Sequence, residues 1–208
     1  NGTRAVYQTF PATQESLLAA LESPLPEQTL DCYMVCTHGS RDPCCGLLGV
    51  PVYQVLSTEG SRNVLQVSHL GGHRFAPVVG VFPEWKFYGR LKPEEFLEMD
   101  RALNTGKPYL PGYRGSGRLK SYLQVVEARL WEEHGEAPIA LERVSGEKSE
   151  PLVEAVFADG RKARYLAQLE TLTYQGYKSC KDQRKGKEET LKLSVLKSLT
   201  PASVSAEA

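Results

Sequence analysis

Residues 31–45 read DCYMVCTHGSRDPCC, and this stretch holds four of the chain's five cysteines and one of its four histidines. Residues 29–36, TLDCYMVC, are rich in apolar and β-forming types and predict a buried strand. Asp42 and Pro43 suit the N-cap and first position of a helix, so a helix or helical turn is expected from Cys44. Strand, polar loop and helix start make a β-loop-α unit. The cysteine cluster then lies at the carboxyl end of a strand, where open α/β sheets bind their ligands. Four uses of the cluster remain open: disulfide, metal site, nucleophile or turn.

Working outward, residues 3–10 alternate like a strand. A helix carrying Leu17, Leu18 and Leu21 follows, with Thr13 as its N-cap. Beyond the cluster, Gly49 and Pro51 predict a break in the helix before VYQVLS. NVLQVS (63–68) is a third strand, and it runs into the polar loop SHLGGHRFAP. VVGVF and FYGRL read as a hairpin around PEWK. Pro93 opens a helix with Phe96, Met99 and Leu103 on one face. The order β-α-β-α-β-β-β-α predicts an α/β fold, a thioredoxin-like mixed sheet with flanking helices. YLPGYRGSGR (109–118) reads as a linker or ordered loop.

A C-terminal α+β extension should follow. Leu119, Tyr122, Leu123, Val126 and Leu130 recur at helical spacing, and Gly135 suits the C-cap. Residues 139–199 read as strands, with ADGRK (158–162) as a hairpin turn. Residues 179–190 are expected to form a charged loop. The predicted organisation is a first domain over 1–115, the extension over 116–200 and a disordered tail over 201–208.

The totals narrow the function classes. The chain has 208 residues, 41% of them apolar, with 25 basic and 25 acidic side chains in balance. A neutral chain offers no electrostatic case for nucleic acid. No apolar run is long enough to predict a spanning helix, so no membrane partner is expected. An odd, clustered set of cysteines argues for a reducing compartment rather than a secreted disulfide framework. Cytoplasmic location is the expectation, although the chain begins with Asn1 and a targeting segment upstream is compatible with it.

Cys36 and Cys45 are separated by eight residues, and His69 and His73 by three. Two thiolates and two imidazoles complete a four-donor set that zinc and iron–sulfur clusters both accept. Each pair sits in one loop, so two adjacent strand ends can surround one centre. Gly71 and Gly72 allow the unusual backbone angles that such a loop needs. Successive residues on a helix point about 100° apart, so only one of Cys44 and Cys45 can face the centre. Cys45 is the expected one, since the helix N-terminus favours a thiolate there, while Cys44 packs inward. Cys32 shares the strand face of Cys36 but sits roughly 13 Å back, in the core. The C-x3-C spacing of Cys32 and Cys36 is wrong for a thioredoxin-type redox pair. His38 is assigned to ordering the turn and Cys180 to an exposed free thiol. Arg41 and Arg74 are candidates for hydrogen bonds near the centre or for steering a partner, against a structural salt bridge with residues such as Asp42. YGR and YRG place Arg90 and Arg114 beside tyrosines and glycines, either lining the same face or packing.

CTHGSRDPCC followed by SHLGGHRFAP, YGRL and YRG resembles the sucrase/ferredoxin-like family over about residues 30–130. The resemblance implies a thioredoxin-like ferredoxin domain with a 2Fe–2S cluster held by Cys36, Cys45, His69 and His73. It implies electron transfer or redox sensing. No pair of carboxylates points to glycoside hydrolysis. The chain has no GxGxxG or P-loop to hold a nucleotide of its own. An electron carrier served by a separate reductase is therefore expected, rather than a stand-alone enzyme. Neutral imidazoles in place of thiolates should raise the potential above the roughly −400 mV of all-cysteine plant-type clusters. The alternative is a zinc-stabilised thioredoxin-like binding module without redox activity.

Overall fold

The computed structural model describes residues 31–40, 43–177 and 185–199. The strand and helix expected over 3–21, the residues Arg41, Asp42 and Cys180, and the tail 201–208 lie outside the described residues.

The first sheet contains β1 (Cys32–Cys36), β2 (Asn63–Val67), β3 (Val78–Phe82), β4 (Lys86–Gly89) and β5 (Tyr113–Ser116). Its order is β2-β1-β3-β4-β5. β1 and β2 run parallel, joined through helix α1 (Pro43–Glu59), while β3 pairs antiparallel with both β1 and β4. This is the mixed sheet expected from the sequence. Alternation along β1 sends Tyr33 and Val35 to one face, where they pack with Val79, Val81 and Tyr88. Helix α1 covers that face with Val52 and Leu56. Helix α2 (Pro93–Asn104) covers it with Phe96, Leu97 and Met99. Cys32 and Phe82 pack on a separate cluster with Met34 and Phe87.

Three expectations are corrected. The helix does not break at Gly49 and Pro51, and α1 is continuous with Pro51 inside it. Cys45, Gly49, Val52 and Leu56 form one buried stripe at helical spacing, and that burial outweighs the missing Pro51 N–H. Pro51 and Leu47 are both exposed, so the carbonyl that lost its donor lies on the solvent side. Residues 109–118 are not merely a loop, because 113–116 form β5 on the edge of the sheet. Gly112 and Gly115 adopt φ of 66° and 104°, so their glycines read as loop while serving a short strand. Residues 185–190, expected in a charged loop, belong to β9.

Helix α3 (Ser121–His134) follows, ending on Gly135 at φ 72° as its C-cap. Then come β6 (Ala140–Gly146), β7 (Pro151–Val156), β8 (Lys162–Tyr177) and β9 (Lys185–Ser198), an antiparallel sheet in chain order. The β7–β8 turn falls where ADGRK predicts it, with the Phe157 N–H donating to the Arg161 carbonyl at 2.9 Å. Tyr122, Leu123, Val126 and Leu130 of α3 pack on Val153, Phe157, Tyr165 and Ala167. Glu127 ties α3 back to β5, accepting from the Tyr113 hydroxyl at 2.7 Å and the Ser116 N–H at 3.2 Å. Burial holds its carboxyl above the usual range.

The tightest approach in the first sheet is α1 on β1. A Cβ built at Gly49 would stand 2.1 Å from the Cys36 carbonyl oxygen. Both atoms belong to backbone, so neither can swing away. Gly49→Ala is expected to destabilise the fold by about 2 kcal/mol or more, read as a lower urea midpoint. Gly39 is the control: a Cβ there meets only ordinary contacts at 3.5 Å, so Gly39→Ala should leave the midpoint nearly unchanged.

Candidate metal centre

The parallel register pairs Cys36 with Val67, so β1 and β2 end side by side. The Thr37 N–H continues the ladder to the Val67 carbonyl at 3.2 Å. The two polar loops therefore leave one edge of the sheet together, as a shared centre requires. The Cys36 thiol points at the second loop, with Sγ 3.8 Å from the Ser68 carbonyl oxygen.

Helix α1 returns Cys45 to the same place on its first turn. Neither Cys36 nor Cys45 is in a disulfide, and each is only 2% exposed. One ligand atom from each of Cys36, Cys45 and His69 lies within 4.8 Å of the other two. The thiols are buried while His69 is exposed, which gives the centre a dry side and a wet side. Val78, Leu70 and Phe75 close the dry side. His73 opens a single 3-10 turn, His73–Phe75, on the same loop, and its side chain lies outside the described residues. Between the histidines, Gly71 and Gly72 adopt φ of 79° and 65°, the left-handed conformation their sequence suggests.

The other sulfurs sort clearly. Cys44 is half-buried and disulfide-bonded rather than simply packed inward, which leaves the thiol of its neighbour Cys45 to join the group. Cys32 is buried with Phe82, away from the group. Burial, reinforced by Asp31 and opposed by Arg62, pushes its thiol up to about 11. His38 is exposed in the turn and does not join the group.

Arginines frame the loop. The guanidiniums of Arg74, Arg90 and Arg114 stand over the Phe75 ring at 4.8, 4.8 and 4.2 Å from its centroid. Arg74 pairs with Glu188 of β9, not with a carboxylate of its own loop. Sequence reasoning missed Glu188 because it sits in a charged run that read as solvated loop. It missed Phe75 as a hub because a lone aromatic after His-Arg carries no spacing signal.

Residues 3–115 match the sucrase/ferredoxin-like family model. The chain belongs to that family. Among curated proteins it is similar to the Altered inheritance of mitochondria protein 32 of Meyerozyma guilliermondii, 32% identical over 119 residues, or 52% of this chain and 42% of that relative. The protein of the same name from Candida glabrata is 25% identical over 96 residues, covering 39% of this chain and 31% of the relative. The chain thus spans less than half the length of either relative. No solved structure matches it.

The core assignment of Cys32 has a pH signature. An unfolded thiol ionises near its ordinary 9.0, and the folded one only near 11. Raising pH between these values ionises the unfolded chain first and removes stability. Cys32→Ala removes that titration and costs packing instead. Wild type should therefore lead Cys32→Ala by a constant margin below pH 9 and by a shrinking one toward pH 11. Denaturant melts across that range check it.

Proposed function

We propose that the chain is a 2Fe–2S electron-transfer or redox-sensing protein, with Cys36, Cys45, His69 and His73 holding the cluster. The observation that carries the reading is the convergence of two buried thiols outside any disulfide and one imidazole within 4.8 Å of one another. Donors that close can share one or two ions at metal–ligand bonds of about 2.0–2.3 Å. Family membership supports the iron–sulfur form of that donor set over plain zinc.

When bound, the cluster supplies one-electron transfer at a fixed potential. The chain's own residues do the rest. Cys36 and Cys45 present anionic sulfur on the dry side, where Leu70, Phe75 and Val78 exclude water. His69 carries its ring to the exposed side, so electrons have a short route to a docked partner there. An imidazole ligand also keeps a second ring nitrogen at which a proton can be held or released. Nothing in the described residues supplies a nucleotide motif, which supports a separate reductase as the electron source.

Among the described residues no helix is long and apolar enough to cross a membrane. We retain the cytoplasm as the proposed location. The relatives' printed name concerns inheritance of mitochondria, and fractionation of a tagged chain distinguishes the organelle from the cytoplasm.

Iron, sulfide and zinc analysis with absorption spectra on single variants tests the reading. Purified protein should carry iron and sulfide in equal amounts, with visible bands that bleach on dithionite. Cys36→Ala and Cys45→Ala should lose the bands. His69→Cys and His73→Cys should keep a cluster at lower potential, because a neutral ligand becomes anionic. Cys32→Ala and Cys44→Ala should keep a normal spectrum. Colourless protein with stoichiometric zinc would establish the binding-module alternative instead.

A further inference from the structure

A second site lies beside the metal loop. Arg74 and Phe75 from the 3-10 turn and Arg114 from β5 form one wall of a cavity of about 640 Å³. Ser121 and Val125 of α3 and Thr171, Thr190 and Leu191 of the second sheet form the others. The volume falls in the range of small-molecule sites, which run about 300–1,000 Å³.

Its charge is unbalanced. Three guanidiniums gather on one phenyl ring, and the described carboxylates nearest them are Glu188, which pairs with Arg74, and Glu189, exposed on the cavity wall. Arg114 has no carboxylate partner among the described residues. Arg74 keeps a buried Nε with no acceptor among them. Burial, followed by repulsion from Arg74 and Arg90, makes it harder for Arg114 to hold its charge. Such a cluster is costly unless an anion completes it. Helix α3 also begins at this cavity, with Ser121 on the wall, so its positive end adds to the field.

We propose that this cavity binds a small phosphorylated molecule, its phosphate on Arg114 and Arg74 and its body against Phe75, Val125 and Leu191. A phosphate fits better than a carboxylate for two reasons. It can set a charged oxygen on each of Arg74 and Arg114 even though Glu188 and Glu189 offset two of the three cations. Its three terminal oxygens can be shared between two guanidinium forks and the hydroxyl groups of the wall. The site adjoins the metal loop directly: a Cβ at Gly72 would lie 2.7 Å from Arg114 Nη2. A ligand that draws Arg114 toward the cavity therefore moves a group packed against the chain between His69 and His73. The binding claim stands without any metal in that loop.

The test is calorimetric titration of the full chain with inorganic pyrophosphate, and separately with succinate at matched ionic strength, in a phosphate-free buffer. Pyrophosphate should bind saturably, and at least about tenfold more tightly than succinate. Arg114→Gln should weaken it by about tenfold or more, the loss of a charge-assisted bidentate contact. Thr190→Glu places a repelling charge on the exposed rim without disturbing the Phe75 stack, and should weaken it similarly if Arg114→Gln folds poorly. Arg161→Gln, which removes a guanidinium from the β7–β8 turn, should change nothing. Absence of saturable binding would overturn the proposal. So would full affinity in Thr190→Glu together with a folded Arg114→Gln, or succinate binding as tightly as pyrophosphate.

Discussion

The close seat of α1 on β1 is the constraint on which the rest of the site depends. Gly49 lets the helix backbone touch the carbonyl of Cys36. Only at that distance does the first turn of α1 bring Cys45 back beside the residue that ended the strand. A side chain at position 49 would push the helix outward by roughly the width of a methyl group, and the two thiols would part. The apolar stripe Cys45, Gly49, Val52, Leu56 then anchors the helix along its length. The same stripe explains why Pro51 is tolerated: the packing lies on one side of the helix and the missing hydrogen bond on the other.

Much of this could be read from the residue pattern, and the reasons differ from element to element. β1, β3 and β4 were legible because their apolar runs are short, bounded and buried. The grouping of Cys36, Cys45 and His69 was legible because local spacing puts them at the ends of two neighbouring strands. Helical geometry allowed only one of Cys44 and Cys45 to face the centre, and the positive helix end favoured a thiolate at Cys45. β5 was hidden because Gly115 within it and Gly112 just before it, both at positive φ, share their composition with loops. β9 was hidden because charged residues on an exposed ribbon look like solvated coil, although each pairs in register with β8. Glu188 could not be found by any local rule. Its partner Arg74 lies in the 3-10 turn between β2 and β3, more than a hundred residues away in the chain.

Phe75 links the two halves of the argument. Its ring helps floor the dry side of the thiol group, and its faces and edges carry three guanidiniums. Its backbone is held as well, since the Arg90 N–H donates to its carbonyl at 2.9 Å and its own N–H donates to Gly72 at 2.8 Å. A single residue thus separates an apolar environment suited to sulfur from a strongly cationic one. The arginines thus stand one ring away from the apolar side of the thiol group.

The parallel pairing of β1 and β2 has a further consequence, which concerns time. Cys36 and Cys45 come close as soon as one loop and one helical turn form. His69 joins them only when the whole right-handed crossover has closed and β2 has docked. Closing that long segment must precede the contacts that reward it. The donor set is therefore complete only in a chain that has already paired β1 with β2. A complete donor set thus separates chains that have closed the crossover from those that have merely collapsed.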